Sequence, residues 1–451
     1  MRPLTLRLTA LTLGLGSLLT TLLVAAGPAA ATDAAPTVLA TTRLPLPSAA
    51  DVAVDGTGGH VFVSGGRGTT DLVVTDLDGQ LVGTIGNQQG ATGLAIGADG
   101  TTVYAALGDG DAVSAIDTAT LTERARYPLG SGVCPSDLAP AGGKLWFSYG
   151  CGQDGRIGSL DLRGPAPVVA LDQAGAWYFP PQLASASADQ GVLVAGRRET
   201  SPTTVTSFDV SSGQAVVRAS TDALGGFLRD LEVAPDGADV LVVTHEPDYP
   251  LVLSVADLSQ VGYYDSSVGT TLVAVRPDGA VVTGTPTGIL DAFAIGEPPT
   301  PKVWTSYDGL AEPGLEVQGL AWAPSGRRVY TVSDDFSAGQ PLLRVLVPPP
   351  LLTSIAADLL TWPVLVRQPM TIAGRLSPED NAQPGVQTIH VTRQDRKGTV
   401  TLPDLSTAAD GTFSLTDRPR TSGDTTWTFQ FDGTDTLLPT QYAVTVPVAR
   451  H

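Results

Sequence analysis

The sequence predicts an all-β protein in which an array of similar four-strand units is followed by a smaller β-domain. Two observations carry this prediction. Short apolar strands recur with turn residues between them, and apolar periodicity of the helical kind is absent over any length. The composition agrees, because the 451 residues include 51 glycines and 35 prolines, which favour turns over long helices. Hydrophobic residues make up 42% of the chain, which is enough for a substantial core.

The charge of the chain argues against one class of partner. The formal net charge is −19, with 26 basic against 45 acidic side chains. Binding to the phosphates of DNA or RNA needs a basic face, so we expect no nucleic-acid partner.

Residues 1–31 have the pattern of a signal peptide. Arg2 and Arg7 precede an uncharged apolar run over residues 8–26, and the small residues Ala29, Ala30 and Ala31 follow it. The alternative is an uncleaved membrane anchor, because the run is almost long enough to span a bilayer. We expect cleavage after Ala31 and a secreted, extracellular protein with no membrane span in residues 32–451.

Seven repeated units organise the middle of the chain. Each unit has an apolar strand, a tight turn and a second apolar strand, followed by two more strand signals. The period of about 40 to 50 residues, with four strands in each unit, is typical of a β-propeller blade. The residues predicted to be equivalent, second in each unit, are Val52, Leu94, Leu138, Leu183, Leu231, Leu272 and Leu320.

The two ends of the array are predicted to pair. The seventh unit has no fourth strand before Pro348, whereas an additional strand over residues 37–47 precedes the first unit. Pairing this strand with the seventh unit would give seven four-stranded blades and cover both unpaired edges.

The repeats resemble a known family. Residues 94–120, LAIGADGTTVYAALGDGDAVSAIDTAT, are similar to the YVTN-type, YncE-like β-propeller repeats of secreted bacterial proteins. The resemblance extends over roughly residues 37–347 and implies a seven-bladed propeller. It implies no single activity. No Trp-Asp dipeptide occurs, so the chain is only distantly WD40-like.

A smaller domain is predicted over residues 351–451, after a β-propeller domain over residues 32–350. Its alternating strands place Trp427, Phe429 and Phe431 on one face, and its length and pattern suit an immunoglobulin-like β-sandwich. The segment WTFQFDGTDTLLPT resembles bacterial Ig-like domains, which commonly act as spacers or adhesion modules. The antibody-type cysteine pair is absent.

The two cysteines are predicted to form a disulfide bond. Cys134 and Cys151 flank the first hairpin of the third unit, and a turn at Gly142-Gly143 places them opposite each other. An oxidising compartment favours the bond. The alternative is a redox pair or a pair of metal ligands.

No catalytic constellation is recognisable in the sequence. The four histidines are not clustered, and the sequence contains no HExxH, no Cys-x-x-Cys-His and no phosphate-binding loop. We therefore expect no metal and no cofactor.

One group of loop residues is a candidate binding site. Loops that join the fourth strand to the next blade, and the second strand to the third, share one face around the propeller channel. Exposed aromatics beside arginines and carboxylates are typical of a recognition hot spot or a carbohydrate platform. The alternative is that Trp177 and Phe179 fill the mouth of the channel as core. The candidates are Trp177, Tyr178, Phe179, Tyr149, Arg197, Arg198, Phe227, Arg229, His245 and Glu246.

Two functional interpretations follow. The first is a secreted, non-catalytic binding or scaffold protein whose loop face recognises a protein or a polysaccharide, with the cell envelope as a candidate partner. Its Ig-like domain would be a spacer or an attachment module. The second is a lactonase-like hydrolase acting at the mouth of the channel, with His245 and Glu246 as the acid–base pair.

Overall fold

The computed structural model describes residues 35–450, apart from 187–190, 199, 307–314 and 336–337. In this part of the chain there are strands and turns but no α-helix, which confirms the all-β prediction. The described residues belong to one compact unit, Thr32–His451. The predicted signal peptide, residues 1–31, lies outside the described residues.

Seven antiparallel four-stranded sheets follow one another along the described chain, after a first strand β1 (Thr37–Arg43). The first sheet contains β2 to β5 (Asp51–Asp55, His60–Ser64, Leu72–Asp76, Leu81–Ile85). The second contains β6 to β9 (Ala91–Ile96, Thr102–Leu107, Ala112–Asp117, Thr122–Pro128). The third contains β10 to β13 (Pro135–Ala141, Lys144–Tyr149, Arg156–Asp161, Val168–Ala170).

The remaining sheets of this array have the same order. The fourth contains β14 to β17 (Gln182–Ser185, Val192–Gly196, Thr203–Asp209, Val216–Leu224). The fifth contains β18 to β21 (Leu228–Val233, Asp239–Thr244, Leu251–Ser254, Gln260–Tyr263). The sixth contains β22 to β25 (Leu272–Val275, Val281–Gly284, Leu290–Phe293, Lys302–Ser306), and the seventh contains β26 to β28 (Leu315–Trp322, Val329–Asp335, Leu342–Val347) together with β1.

Strand β1 supplies the fourth strand of the seventh sheet. It pairs antiparallel with β28, from Thr37 opposite Val347 to Arg43 opposite Leu342. The first strands of neighbouring sheets also touch one another in a complete cycle, from β2 to β6 and onward through β10, β14, β18, β22 and β26 back to β2. The seven sheets are therefore arranged around a common centre, with their first strands innermost.

The hairpin registers define which residues are equivalent between sheets. Val52 lies opposite Val63 in the first sheet, and Leu231 lies opposite Val242 in the fifth. In the sixth sheet this position is occupied by Val273, which lies opposite Thr283. The Pro-Asp-Gly turn also lies one residue later relative to Leu272 than it does relative to Leu231 in the fifth sheet. The predicted equivalence of Leu272 is therefore wrong by one residue.

The disulfide prediction is confirmed. Cys134 and Cys151 are bonded, with their Cα atoms 5.2 Å apart. The hairpin turns at Gly142-Gly143, both with positive φ, but the register shifts between Pro135 and Asp137. The two cysteines therefore meet beside a β-bulge instead of as a regular cross-strand pair.

Residues after the seventh sheet form two further antiparallel sheets. One contains β29 (Thr353–Leu359), β30 (Met370–Pro378) and β34 (Thr412–Asp417), and the other contains β31 (Thr388–Asp395), β32 (Gly398–Thr401), β33 (Leu405–Ser406), β35 (Gly423–Phe431) and β36 (Thr440–Val448). Both sheets contribute to one apolar core, in which Trp427 and Phe429 are fully buried and Phe431 is 3% exposed. The predicted shared face of these three aromatics is confirmed.

Candidate functional site

A cavity of about 1430 Å³ lies among the first strands of the seven sheets. Residues from the beginnings of these strands line it, among them Asp51, Asp137 and Asp230, and so do residues of the turns that follow the strands, such as Gly100 and Gly143. The cavity therefore follows the first strands along their length and is the channel that the ring of sheets encloses.

Three aspartates join neighbouring sheets at the start of this channel. In each, Oδ1 accepts a hydrogen bond from the backbone N–H of the next residue, and Oδ2 accepts one from the first strand of the following sheet. The contacts made by Oδ2 are with Leu94 N for Asp51 at 2.7 Å, with Leu183 N for Asp137 at 3.0 Å, and with Val273 N for Asp230 at 2.8 Å. These aspartates lie in the first, third and fifth sheets, so the link is present at alternate sheet boundaries.

Burial changes the acidity of the same carboxyl groups. Burial, together with the negative charge of Asp137, raises the pKa of Asp51 from 3.8 to about 7, against the opposing effect of its two backbone hydrogen bonds. Burial likewise raises the pKa values of Asp137 and Asp230. At neutral pH the carboxyl group of Asp51 therefore carries less than a full negative charge.

Gln182 and Arg198 extend this polar network. Gln182 Nε2 donates to Asp230 Oδ1 at 2.8 Å, and Arg198 Nε donates to Gln182 Oε1 at 3.3 Å. The positive charge of Arg198 opposes the rise in the pKa values of Asp51, Asp137 and Asp230. Arg198 and Arg229 both line the cavity, so two of the sequence-predicted residues lie at the channel itself.

Three further candidates lie together in the loops that flank the first hairpin of the fifth sheet. The backbone N–H of His245 donates to the carbonyl of Phe227, which is 43% exposed. Gly226 precedes Phe227 with φ +68°, where a Cβ would come within 2.7 Å of Glu246 N. This close approach requires glycine, and it holds the exposed side chains of Phe227, His245 and Glu246 in adjacent loops.

The aromatic candidates from the third and fourth sheets divide into buried and exposed side chains. Trp177 is 8% exposed and packs with Trp146 in the core, and its Nε1 donates to the carbonyl of Ala174 at 3.2 Å. Tyr178 is 46% exposed and lies edge-on to half-buried Phe179, with ring centroids 4.7 Å apart. For Trp177 the structure agrees with the alternative interpretation as core.

Tyr149 and Arg197 also have mainly internal contacts. Tyr149 is 8% exposed, and its hydroxyl donates to Asp172 Oδ1 at 3.1 Å. The carbonyl of Arg197 accepts a hydrogen bond from Thr203 Oγ1, and its backbone N–H donates to the carbonyl of Thr204. The side chain of Tyr149 and the backbone of Arg197 therefore support the loops.

Glu232 lines the channel beside Asp230, and it was not among the residues that the sequence predicted for a site. Its equivalents in the other six sheets are all alanine, by the hairpin registers: Ala53, Ala95, Ala139, Ala184, Ala274 and Ala321. Aligning the fifth and sixth repeats on their Pro-Asp-Gly turns would have placed Glu232 opposite Ala274 and revealed this single glutamate among alanines.

A second cavity, of about 560 Å³, lies between the sixth and seventh sheets and the C-terminal strands. Arg276 stacks over the ring of Trp322, 5.2 Å from its centroid, and pairs with Asp278 at 2.6 Å and with Asp380 at 3.5 Å. In this cavity the charges of Arg276, Asp278 and Asp380 are therefore already paired with one another.

Neither a metal centre nor a membrane span is found in the described part of the chain. In residues 35–450, outside the gaps, no group of three or more histidine, cysteine, aspartate or glutamate side chains is arranged to hold a metal ion. The same residues include no helix that could cross a membrane.

Comparisons with known proteins show the fold. No family model matches the chain, and no curated protein matches it. Among solved structures, the chain is similar to the crystal structure of the Cps50 (Swd1) β-propeller domain of Myceliophteria thermophila, with a TM-score of 0.51 and 14% identity, over 69% of this chain and 99% of that one. It also matches Kuenenia stuttgartiensis hydrazine synthase, with a TM-score of 0.46 and 15% identity, over 67% of this chain and 96% of that one.

The ring of four-stranded sheets and the first of these likenesses define the class of the protein. It has a propeller-like, all-β fold. Folds of this class present loops around a central channel.

Proposed function

We propose that the protein is secreted and is a non-catalytic binding or scaffold protein. In this proposal residues 1–31 are a signal peptide, residues 32–350 are a seven-bladed β-propeller of the YVTN type, and residues 351–451 are an immunoglobulin-like spacer or envelope-attachment module. The Cys134–Cys151 bond supports secretion, because such bonds persist in oxidising compartments.

The recognition surface is the loop face at the start of the first strands. The observation that carries this proposal is the exposure of Tyr178 and Phe227, at 46% and 43%, in the loops beside Arg198 and Arg229. Large aromatic side chains and arginines are the residue types that contribute most to binding surfaces. Buried Trp177 and Tyr149 give these loops a rigid base, which lowers the entropy cost of binding.

The proposed ligand is a protein or a polysaccharide of the cell envelope. The hydrolase alternative would require His245 and Glu246 to converge on a substrate. The hydrogen bonds described for these residues involve their backbones, with His245 N donating to Phe227 and the Glu246 carbonyl accepting from Thr244 Oγ1. The structure thus offers no specific support for that alternative.

Co-sedimentation with cell envelope tests the proposal. Purified residues 32–451 with the disulfide intact should pellet with envelope isolated from the producing organism, and Phe227→Ala should reduce the pelleted fraction. Leu81→Ala is the matched control, because Leu81 is likewise exposed, at 50%, but lies at the start of β5, at the opposite end of the strands from the loop face. Equal pelleting of all three forms, or of none, would contradict the proposed recognition surface.

A further inference from the structure

Glu232 is the one acidic residue at its position among the seven sheets. The six equivalent residues are alanines, so the wall of the channel is otherwise apolar at this level. Nothing in the hairpin requires a glutamate, because Glu232 has the same register opposite Leu241 as Ala53 has opposite Phe62. The chain has thus placed one long acidic side chain in a ring of short apolar ones.

The carboxylate of Glu232 also differs from the three aspartates around it. Each of those aspartates binds two backbone N–H groups, one of them in the next sheet. Among the described residues, no hydrogen bond or ion pair involves the side chain of Glu232, which lines the cavity. The side chain of Glu232 is half-buried at the wall of the channel, so its carboxyl group is open to a partner from outside the chain.

The surrounding charges indicate the kind of partner. Burial raises the pKa of Glu232 well above 4.5, and the nearby negative charges of Asp230, Asp51 and Asp137 raise it further. A cation beside Glu232 would oppose this rise in pKa by favouring the charged carboxylate, whereas an anion would add to it. The other charged residues that line the cavity are Arg198, Arg229, Lys144 and Asp99.

We propose that the channel binds a ligand that carries a protonated amine, and that the carboxylate of Glu232 pairs with its ammonium group. A compact ammonium ion matches a single unpaired carboxylate, and a cavity of about 1430 Å³ has room for an amine on a flexible chain. This inference rests on the proposed function, because it specifies the chemistry of a ligand that reaches the channel from the loop face. A free diamine and a lysine side chain share this chemistry.

Isothermal titration calorimetry with two probes tests the inference and separates these sources. Cadaverine represents the free diamine, Nα-acetyllysinamide represents the lysine side chain, and pentanediol is the uncharged control. Wild-type protein should bind at least one amine and not the diol, and Glu232→Ala should weaken that binding by about tenfold or more. Binding should also be stronger at about pH 8 than at about pH 5, because Glu232 must lose its proton to pair with the amine.

The control variants make the result specific. Glu297→Ala removes the same charge from an exposed loop and should bind the amine as the wild type does. Glu232→Ala introduces the residue that six other sheets carry, so it should fold, and thermal unfolding would verify this. Failure of the wild type to bind either amine, or equal binding by Glu232→Ala, would overturn the inference.

The envelope experiment distinguishes this failure from failure of the proposed function. Loss of pelleting in Phe227→Ala without loss of amine binding in Glu232→Ala would leave the recognition surface in place and remove the amine site. Amine binding that depends on Glu232, without any pelleting, would support the amine site and contradict the proposed recognition of envelope.

Discussion

Oδ2 of Asp51 in the first sheet accepts a 2.7 Å hydrogen bond from the backbone N–H of Leu94 in the second sheet. The corresponding bonds of Asp137 and Asp230 join the third sheet to the fourth and the fifth sheet to the sixth. Because these carboxyl groups are half-buried and each accepts a backbone hydrogen bond from the next sheet, the links contribute to the closure of the ring in addition to apolar packing between sheets.

At about pH 5, where the carboxyl group of Asp51 is protonated and both of its oxygens can still accept, Asp51→Asn should destabilise the protein. The amide has only one acceptor oxygen, so one of the two backbone N–H groups, Val52 or Leu94, would lose its partner. An unsatisfied N–H away from water costs about 1–3 kcal/mol, measurable as a lower midpoint of urea unfolding. Asp222→Asn, at an exposed position, is the control and should leave the midpoint unchanged. A wild-type midpoint in Asp51→Asn would show that the link does not contribute to stability.

The stability of the protein should fall as the pH rises from about 5 to about 8. The pKa of Asp51 is about 7 in the folded protein, against an ordinary value of 3.8 for the unfolded chain, so the folded state binds more protons between these values. The resulting stabilisation is complete below the lower value and lost above the higher one, up to about 4 kcal/mol. Thermal unfolding measured across this range should show a falling melting temperature, and a rising one would contradict the assignment.

Glu232→Ala should stabilise the protein, more at about pH 8 than at about pH 5. The variant removes a carboxyl group whose pKa is raised by burial and replaces it with the alanine that six sheets already carry. Differential scanning calorimetry at the two pH values measures the effect. A lower melting temperature at both would mean that Glu232 has a structural partner.

Trp177→Ala should destabilise the protein by about 3–5 kcal/mol, because it opens a cavity in a packed core. Trp177 is 8% exposed and packs with Trp146, Leu183 and Phe208. Tyr178→Ala is the neighbouring control, and with 46% exposure it should change the stability by less than about 1 kcal/mol. Equal effects in chemical unfolding would place Trp177 at the surface.

Removal of the disulfide bond by Cys134→Ser with Cys151→Ser should cost about 3 kcal/mol on the chain-entropy model. The bond closes a loop with a sequence separation of 17. Reduced wild-type protein should show the same lower midpoint of unfolding as the double variant. If both retained the oxidised midpoint, the bond would not constrain the unfolded chain.

The fold was largely predictable because the same pattern of strands and turns recurs along the chain. Seven copies of one hairpin pattern specify strands, turns and period together, and the unmatched strand β1 is the one that pairs with β28. The strand register expected from a turn at Gly142-Gly143 also predicted the Cys134–Cys151 bond, although it did not predict the bulge beside Pro135. A bulge adds a residue to one strand without a distinctive sequence signal.

The candidate site was less predictable, because exposure depends on tertiary packing. Trp177 and Tyr178 are adjacent aromatics in one loop, yet the first is core and the second is at the surface. Sequence alone cannot decide which of two neighbouring rings points inward. Glu232 was missed for a different reason, since its significance appears only when the seven registers are compared, and Val273 breaks the spacing that the sequence suggests.

The most direct test of the recognition surface is hydroxyl-radical footprinting of residues 32–451 in the presence and absence of envelope. We expect oxidation of Tyr178 and Phe227 to fall when envelope is bound. Oxidation of Leu81, which is 50% exposed at the start of β5 and lies at the opposite end of the strands from the loop face, should not change. Protection of Leu81 with no protection of Tyr178 and Phe227 would contradict the proposal, because binding would then occur away from the loop face.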